Sequence, residues 1–295
     1  MLRRNLGWVL VFGIACADTE VGTASQAASV PGSSGGGGRR PPVDLEGTAD
    51  LWVRADMTAS QWVVRSEPFT ADACSAVEGG IVAGEHRVLR FTVGVANIGD
   101  ADLFIGDPNE HFTPSGDDGL FEFATCHAHF HFRHYVQYEL LGADGRVWRA
   151  AKRGFCMLDT DPNPAWLGQP PRAKVFDSCG SPGTPGFQGI SHGWTDTYRF
   201  FLGGQFFVLD GGDGQPQVPA GSYTLRITAN PPFTPTPGEL CPHRDPAGFC
   251  HMLPESDYDN NVFQTALVVP DHVGRTGVGP AAGLASPGAA GSHER

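Results

Sequence analysis

The chain has 295 residues, 40% of them hydrophobic and 18% charged, which is too apolar for a chain disordered throughout. Its net charge of −12 is not offset by any Lys/Arg cluster. That excludes a nucleic-acid surface and favours cationic partners, amines included. Gly 40 and Pro 24 imply many turns and few long helices.

The chain opens on Met1-Leu2-Arg3-Arg4, followed by an apolar run over 6–15 that ends in Gly13-Ile14-Ala15-Cys16. A run of roughly ten residues has the length of a secretory h-region and is too short to span a bilayer. Small residues before Cys16 resemble a bacterial lipoprotein cleavage box. The expectation is a signal peptide over 1–16 and an exported protein, either secreted or held at the cell surface or outer membrane by a lipid on Cys16. Residues 17–46, rich in Gly, Ser and Pro, read as a flexible linker. Residues 272–295 read as a disordered tail, which leaves 47–271 as the folded part. Setting Cys16 aside, the cysteines are Cys74, Cys126, Cys156, Cys179, Cys241 and Cys250. An even number without a CxxC pair suits disulfides in an oxidising compartment. Cys241 and Cys250 bracket a Pro-rich insertion and are expected to pair.

The folded part reads as strands. Residues 87–97 alternate with period two and turn at Asn97-Ile98-Gly99-Asp100. Residues 135–141 alternate up to the hairpin signal Gly142-Ala143-Asp144-Gly145. Further strands are expected over 199–209, 222–229 and 261–269. Short strands with turn signals predict an all-β, antiparallel β-sandwich core with long loops.

The densest polar constellation is Cys126-His127-Ala128-His129-Phe130-His131. Spacing two places the three histidines on one face of a strand, with Ala128 and Phe130 on the other. On an ideal strand they would extend over roughly 13 Å, so a shared ion needs twist or a bulge. Imidazole-rich ligation without thiolate suits Cu(II), Zn or Ni. His134 is a candidate fourth ligand or supporting partner, whereas His192 and His251 are expected at the surface.

Four motifs in one order then resemble the lysyl oxidases. They are the Cys-His-x-His-x-His run, Lys152-Arg153-Gly154-Phe155-Cys156-Met157-Leu158-Asp159-Thr160, Asp196-Thr197-Tyr198, and Pro254-Glu255-Ser256-Asp257-Tyr258-Asp259-Asn260-Asn261-Val262. The resemblance implies copper bound by His127, His129 and His131, and a lysine tyrosylquinone made from Lys152 and Tyr198. Lysine suits that role because burial readily lowers its pKa and frees a nucleophile. The implied reaction takes a primary amine, either a small amine or a peptidyl lysine in a protein substrate, together with O2. It yields an aldehyde, H2O2 and ammonia. Asp196 is the candidate base, and an Asp capping a turn is the competing account of it. The resemblance also implies a calcium site of Asp50, Leu51, Glu255, Asp257, Asn260 and Asn261, joining the first strand to the last. It suggests the disulfides Cys74–Cys126 and Cys156–Cys179. The sequence departs from the animal enzymes at Phe121 and Phe123, where they have Trp, and at Ala124 and Ala151, where His is usual. An insertion over 233–253 forms a disulfide-tied loop placed to line or cover the site. Two further readings stay open: a metal-binding surface β-sandwich without catalysis, and a copper oxidase without the quinone.

Overall fold

The computed structural model describes residues 41–113, 116–163, 173–235 and 241–274. The leader over 1–16, the possible lipid anchor on Cys16, most of the linker and the tail beyond Gly274 lie outside those residues. The described chain is almost entirely strand, with two short α-helices, Ala55–Ser60 and Cys74–Val77. Among the described residues, no helix is long and apolar enough to cross a membrane.

Two four-stranded antiparallel sheets face each other. One runs Leu51–Val53, Val93–Asn97, Trp194–Tyr198, Asp161–Pro162 in spatial order. The other runs Val147–Arg149, Val136–Gly142, Gly221–Ala229, Val262–Val269. One core cluster draws Leu51, Val93, Val95 and Tyr198 from the first sheet and Tyr138, Leu140, Leu225, Ile227 and Leu267 from the second. Burying such faces on each other is the main force that holds a sandwich together. A third sheet of Phe206–Val208, Gly84–Phe91 and Trp62–Phe69 extends the structure.

The antiparallel all-β expectation therefore holds, and several of its details follow the sequence pattern. The hairpin between Val136–Gly142 and Val147–Arg149 turns where Gly145 takes φ 81°, a conformation glycine adopts without strain. After Val93–Asn97, the Asn97 side chain closes the turn. It accepts from the N–H groups of Asp50 and Gly99 and donates to the Ala101 and Ile190 carbonyls.

The expected long strand over 199–209 does not form. The chain leaves the sheet at Tyr198, turns through 200–204, and resumes only as Phe206–Val208. Arg90 makes that turn possible. Its buried guanidinium donates to the carbonyls of Phe200 and Leu202 (3.1 Å each) while pairing with Glu67 at 2.7 Å. The bend's carbonyls are thereby satisfied without a neighbouring strand.

All three anticipated disulfides are present: Cys74–Cys126, Cys156–Cys179 and Cys241–Cys250.

Candidate functional site

The site is assembled around a hairpin. Phe121–Ala124 pairs with His129–Phe132, and Glu122 lies opposite His131. His127 is not on the strand, contrary to the expectation of three histidines on one strand face. It sits in the tight connection, followed by Ala128 at φ 56°. The tight connection folds the His127 ring back toward the others. The His127–His131 ring centroids are 5.2 Å apart, His127–His129 5.6 Å and His129–His131 4.9 Å. The roughly 13 Å reach of an ideal extended strand is thus removed by a turn.

His129 Nδ1 is tied to the His127 carbonyl at 2.9 Å, which directs its Nε2 to within 3.2 Å of His131 Nε2. Two nitrogens that share one ion at about 2.0–2.1 Å lie at a comparable separation, so this pair fits a common ion. Burial, then the neighbouring His127, lowers His129 to about 4. Burial, then Lys152, lowers His131 to about 2. Both rings are therefore neutral near pH 7, the form that ligates metals. His127 differs, because its Nε2 lies 3.3 Å from Glu78 Oε1. Among the described residues no three such donors are already gathered into a closed metal site. Completing a three-imidazole set requires His127 to exchange Glu78 for the ion.

Two disulfides position the surrounding segments. Cys74–Cys126 ties the histidine turn to the helix Cys74–Val77 and so carries Glu78 to His127. On the other side, the Phe155 N–H donates to the Phe132 carbonyl at 3.2 Å, which lays Lys152-Arg153-Gly154 along the histidine strand. Gly154 is needed there because a Cβ would overlap His131 Nδ1 and lie 2.6 Å from His131 Cβ. Cys156–Cys179 secures the segment that follows.

Lys152 Nζ lies 5.1 Å from the centroid of the Tyr198 ring and 5.2 Å from that of Phe155. The Tyr198 hydroxyl donates to the Cys156 carbonyl at 2.8 Å, and the Phe155 ring meets Tyr198 edge-on at 5.0 Å. These contacts fix the ring's tilt and position.

Asp196 shares a strand face with Tyr198 and is 2% exposed. It lies mid-strand, so the turn-capping account of it does not hold. Burial pushes its carboxyl well above the usual range, and the Leu158 N–H opposes. Tyr135 and Tyr138 are buried beside it, and burial raises both phenols as well.

A cleft of about 390 Å³ opens onto this region, with Lys152, Arg149, Arg153, Arg133, His134 and Glu122 among its lining. His134 (φ 60°) stacks on Phe233 of the insertion, ring centroids 6.1 Å apart. Among the described residues it has no ring contact with the other three histidines. Phe233 pairs with Cys250 through backbone hydrogen bonds of 2.9 and 3.0 Å, so the disulfide-tied insertion reaches the edge of the cleft.

His251, expected at the surface, is 2% exposed. Its Nδ1 meets the Asn230 carbonyl at 2.8 Å and its ring stacks on Tyr258 at 4.1 Å. A polar ring with both a partner and a stacking face is readily buried. His192 is only partly exposed, and its N–H donates to Asp102.

The second cluster also comes together. Glu255 accepts from Leu51 N (2.7 Å), Asn230 (2.6 Å) and Asn261 (2.8 Å), so it links the first strand to the approach to the last. Asn260 donates to Asp50 at 3.0 Å, and Asp257 accepts from the Asp259 N–H. Burial is the main cause of raised pKa values for Asp50 and Glu255, the latter to about 7. The Oδ1 atoms of Asn260 and Asn261 are buried without a partner.

Residues that the sequence reading passed over are Glu78, Gly154 and Phe155. No spacing pattern marks Glu78. Gly154 and Phe155 lie inside a quoted motif, without any cue to their packing roles.

An antiparallel sandwich that places an imidazole cluster beside a half-buried lysine and a buried tyrosine defines a narrow class of protein. The profile of the lysyl oxidase family matches residues 55–238, and the chain belongs to that family. It is 26% identical over 271 residues to chicken (Gallus gallus) lysyl oxidase homolog 2, covering 87% of this chain and 30% of that protein. It is 30% identical over 204 residues to rat (Rattus norvegicus) protein-lysine 6-oxidase, covering 68% of this chain and 39% of that protein. It is 28% identical over 230 residues to zebrafish (Danio rerio) lysyl oxidase homolog 3B, covering 74% and 23%. The chain thus spans well under half the length of these relatives.

Proposed function

We propose that the protein is a copper-dependent amine oxidase whose organic cofactor is a lysine tyrosylquinone formed from its own Lys152 and Tyr198. The observation that carries this reading is the approach of Lys152 Nζ to 5.1 Å from the Tyr198 ring centroid, beside three clustered imidazoles. The net reaction consumes a primary amine, O2 and water and releases an aldehyde, ammonia and H2O2. His127, His129 and His131 would hold copper, which supplies a path for electrons to O2, while the quinone supplies an electrophilic two-electron acceptor.

The rest of the chemistry belongs to ordinary side chains. Neutral His129 and His131 present ring nitrogens without a competing proton. The Tyr198 hydroxyl bond to Cys156 O and the Phe155 edge hold the ring in register with Lys152. Burial raises the carboxyl of Asp196, two residues from Tyr198 on the same face, well above the usual carboxylate range, which suits it to exchange a proton with the ring's surroundings. The cleft above Lys152 admits an amine of side-chain size.

A structural calcium ion joining the first strand to the last is supported by Asp50, Leu51, Glu255, Asp257, Asn260 and Asn261. Glu255 accepts from the Leu51 N–H, Asp50 accepts from Asn260, and the Oδ1 atoms of Asn260 and Asn261 lack partners. Export is supported by the three disulfides.

Peptide mass mapping after copper and O2 loading tests the proposal. The expected result is a covalent Lys152–Tyr198 peptide pair that is lost in His129→Ala. Both residues unmodified at full copper occupancy would instead indicate a metal-binding sandwich without catalysis.

A further inference from the structure

The chain carries Lys+Arg 20 against Asp+Glu 32, yet the cleft beside Lys152 has the opposite balance. Its lining includes Arg133, Arg149, Arg153 and Lys152, with Glu122 as the single carboxylate. That carboxylate is already engaged, 3.4 Å from Arg133 Nε. Among the described residues, the guanidinium groups of Arg149 and Arg153 have no carboxylate partner. Arg149 is nonetheless held in place by its backbone, since its N–H donates to Gln215 and its carbonyl accepts from the same side chain, both at 2.8 Å. The two arginines precede and follow Lys152 in the chain and line the same cleft with it.

We infer that this cleft selects primary amines that also carry a carboxylate, above all lysine side chains flanked by Asp or Glu in a peptide. The inference rests on the amine-oxidase reading for the chemistry, but the binding preference stands on the cleft alone. A guanidinium offers a planar fork that matches a carboxylate with two parallel hydrogen bonds. A plain cationic amine such as a polyamine meets only repulsion there. A carboxylate on the substrate offsets that repulsion, while the same positive lining favours the neutral, reactive form of the amine. The protein's acidic exterior and its basic cleft thus divide the work: the first draws amines in from a distance, and the second sorts them at contact.

The experiment compares blocked peptides Asp-Lys-Asp, Ser-Lys-Ser and Lys-Lys-Lys, with 6-aminohexanoate and hexylamine as small counterparts. The full exported chain is used, unaltered and as the Arg149→Gln/Arg153→Gln double variant. The expected kcat/KM ratio of acidic to neutral peptide is about fivefold or more, falling toward one in the variant and as salt is raised. Preference for the small acid but not the acidic peptide would reassign the source of the carboxylate to free amino acids. Calorimetric titration of the same peptides into copper-free protein reads the preference without turnover. Absence of oxidation with the acidic peptide still bound more tightly would overturn the amine-oxidase reading and keep the cleft assignment. A ratio of one or below by both measures, or a ratio indifferent to both arginines, overturns the inference.

Discussion

Lys152 Nζ and the Tyr198 ring stand 5.1 Å apart between two segments that are fixed independently, one by the Phe132–Phe155 backbone bridge and the other by the Trp194–Tyr198 strand. The amine stands over the ring face, and the ring is held in place by its hydroxyl bond to the Cys156 carbonyl. Lys152→Arg is therefore expected to abolish the covalent link and amine oxidation while leaving copper binding intact. Retained amine oxidation in this variant, measured by H2O2 release, would assign the activity to copper alone.

Gly154→Ala tests the packing of the histidine strand. The added methyl would overlap His131 Nδ1, and overpacking of this kind costs about 1–3 kcal/mol. A lowered Tm together with weakened copper binding is expected. Unchanged copper affinity would mean that His131 is not a ligand.

The clamp on the histidine turn is open to the same treatment. Cys74 and Cys126 are separated by 52 residues, and the chain-entropy account gives about 4 kcal/mol for a loop of that size. The Cys74→Ser/Cys126→Ser variant should lose stability of that order. It should also lose copper affinity, since the turn that carries His127 is then no longer anchored. Denaturant unfolding and a copper titration check both parts.

The two buried clusters give metal-free stability opposite pH trends. Glu255 is raised from 4.5 to about 7 in the folded state. Its contribution is thus complete below pH 4.5 and lost as pH rises through 7, up to about 3 kcal/mol in all. His129 and His131 are lowered from 6.5 to about 4 and about 2. Their contribution is present above pH 6.5 and lost as pH falls toward those values. Glu255→Gln should therefore lessen the decline between pH 4.5 and 7, leaving only the part contributed by the raised carboxyls of Asp50 and Asp196. Calcium bound by the Glu255 carboxylate should have the same effect on the unaltered protein. An identical pH profile before and after the substitution would contradict the buried, protonated state of Glu255.

Much of the architecture could be read from residue spacing, because alternation over 87–97, 222–229 and 261–269 records which side chains face the core. Cysteine parity and the family resemblance led to the three disulfides. The failures share a cause, which is that local pattern does not carry long-range partners. The His127-x-His129-x-His131 spacing looks like an uninterrupted strand, yet a turn closed by Ala128 at φ 56° breaks it. The apolar run after Tyr198 looks like one strand until Arg90, far back in the sequence, takes up the carbonyls of a bend. His251 was misplaced for the same reason, as a polar residue whose burial depends on neighbours from distant segments. Glu78 has no local signature at all and reaches the site only through a cystine.

The two cystines beside the site also imply an order of events during biogenesis. One holds the turn that carries His127, and the other holds the segment after Lys152. A chain folded in a reducing environment would contain the three histidines, Lys152 and Tyr198, but neither clamp. On the proposed function, thiol oxidation would come before metal loading and cofactor formation, and the redox state of the surroundings would decide whether a newly made chain ripens or stays inert.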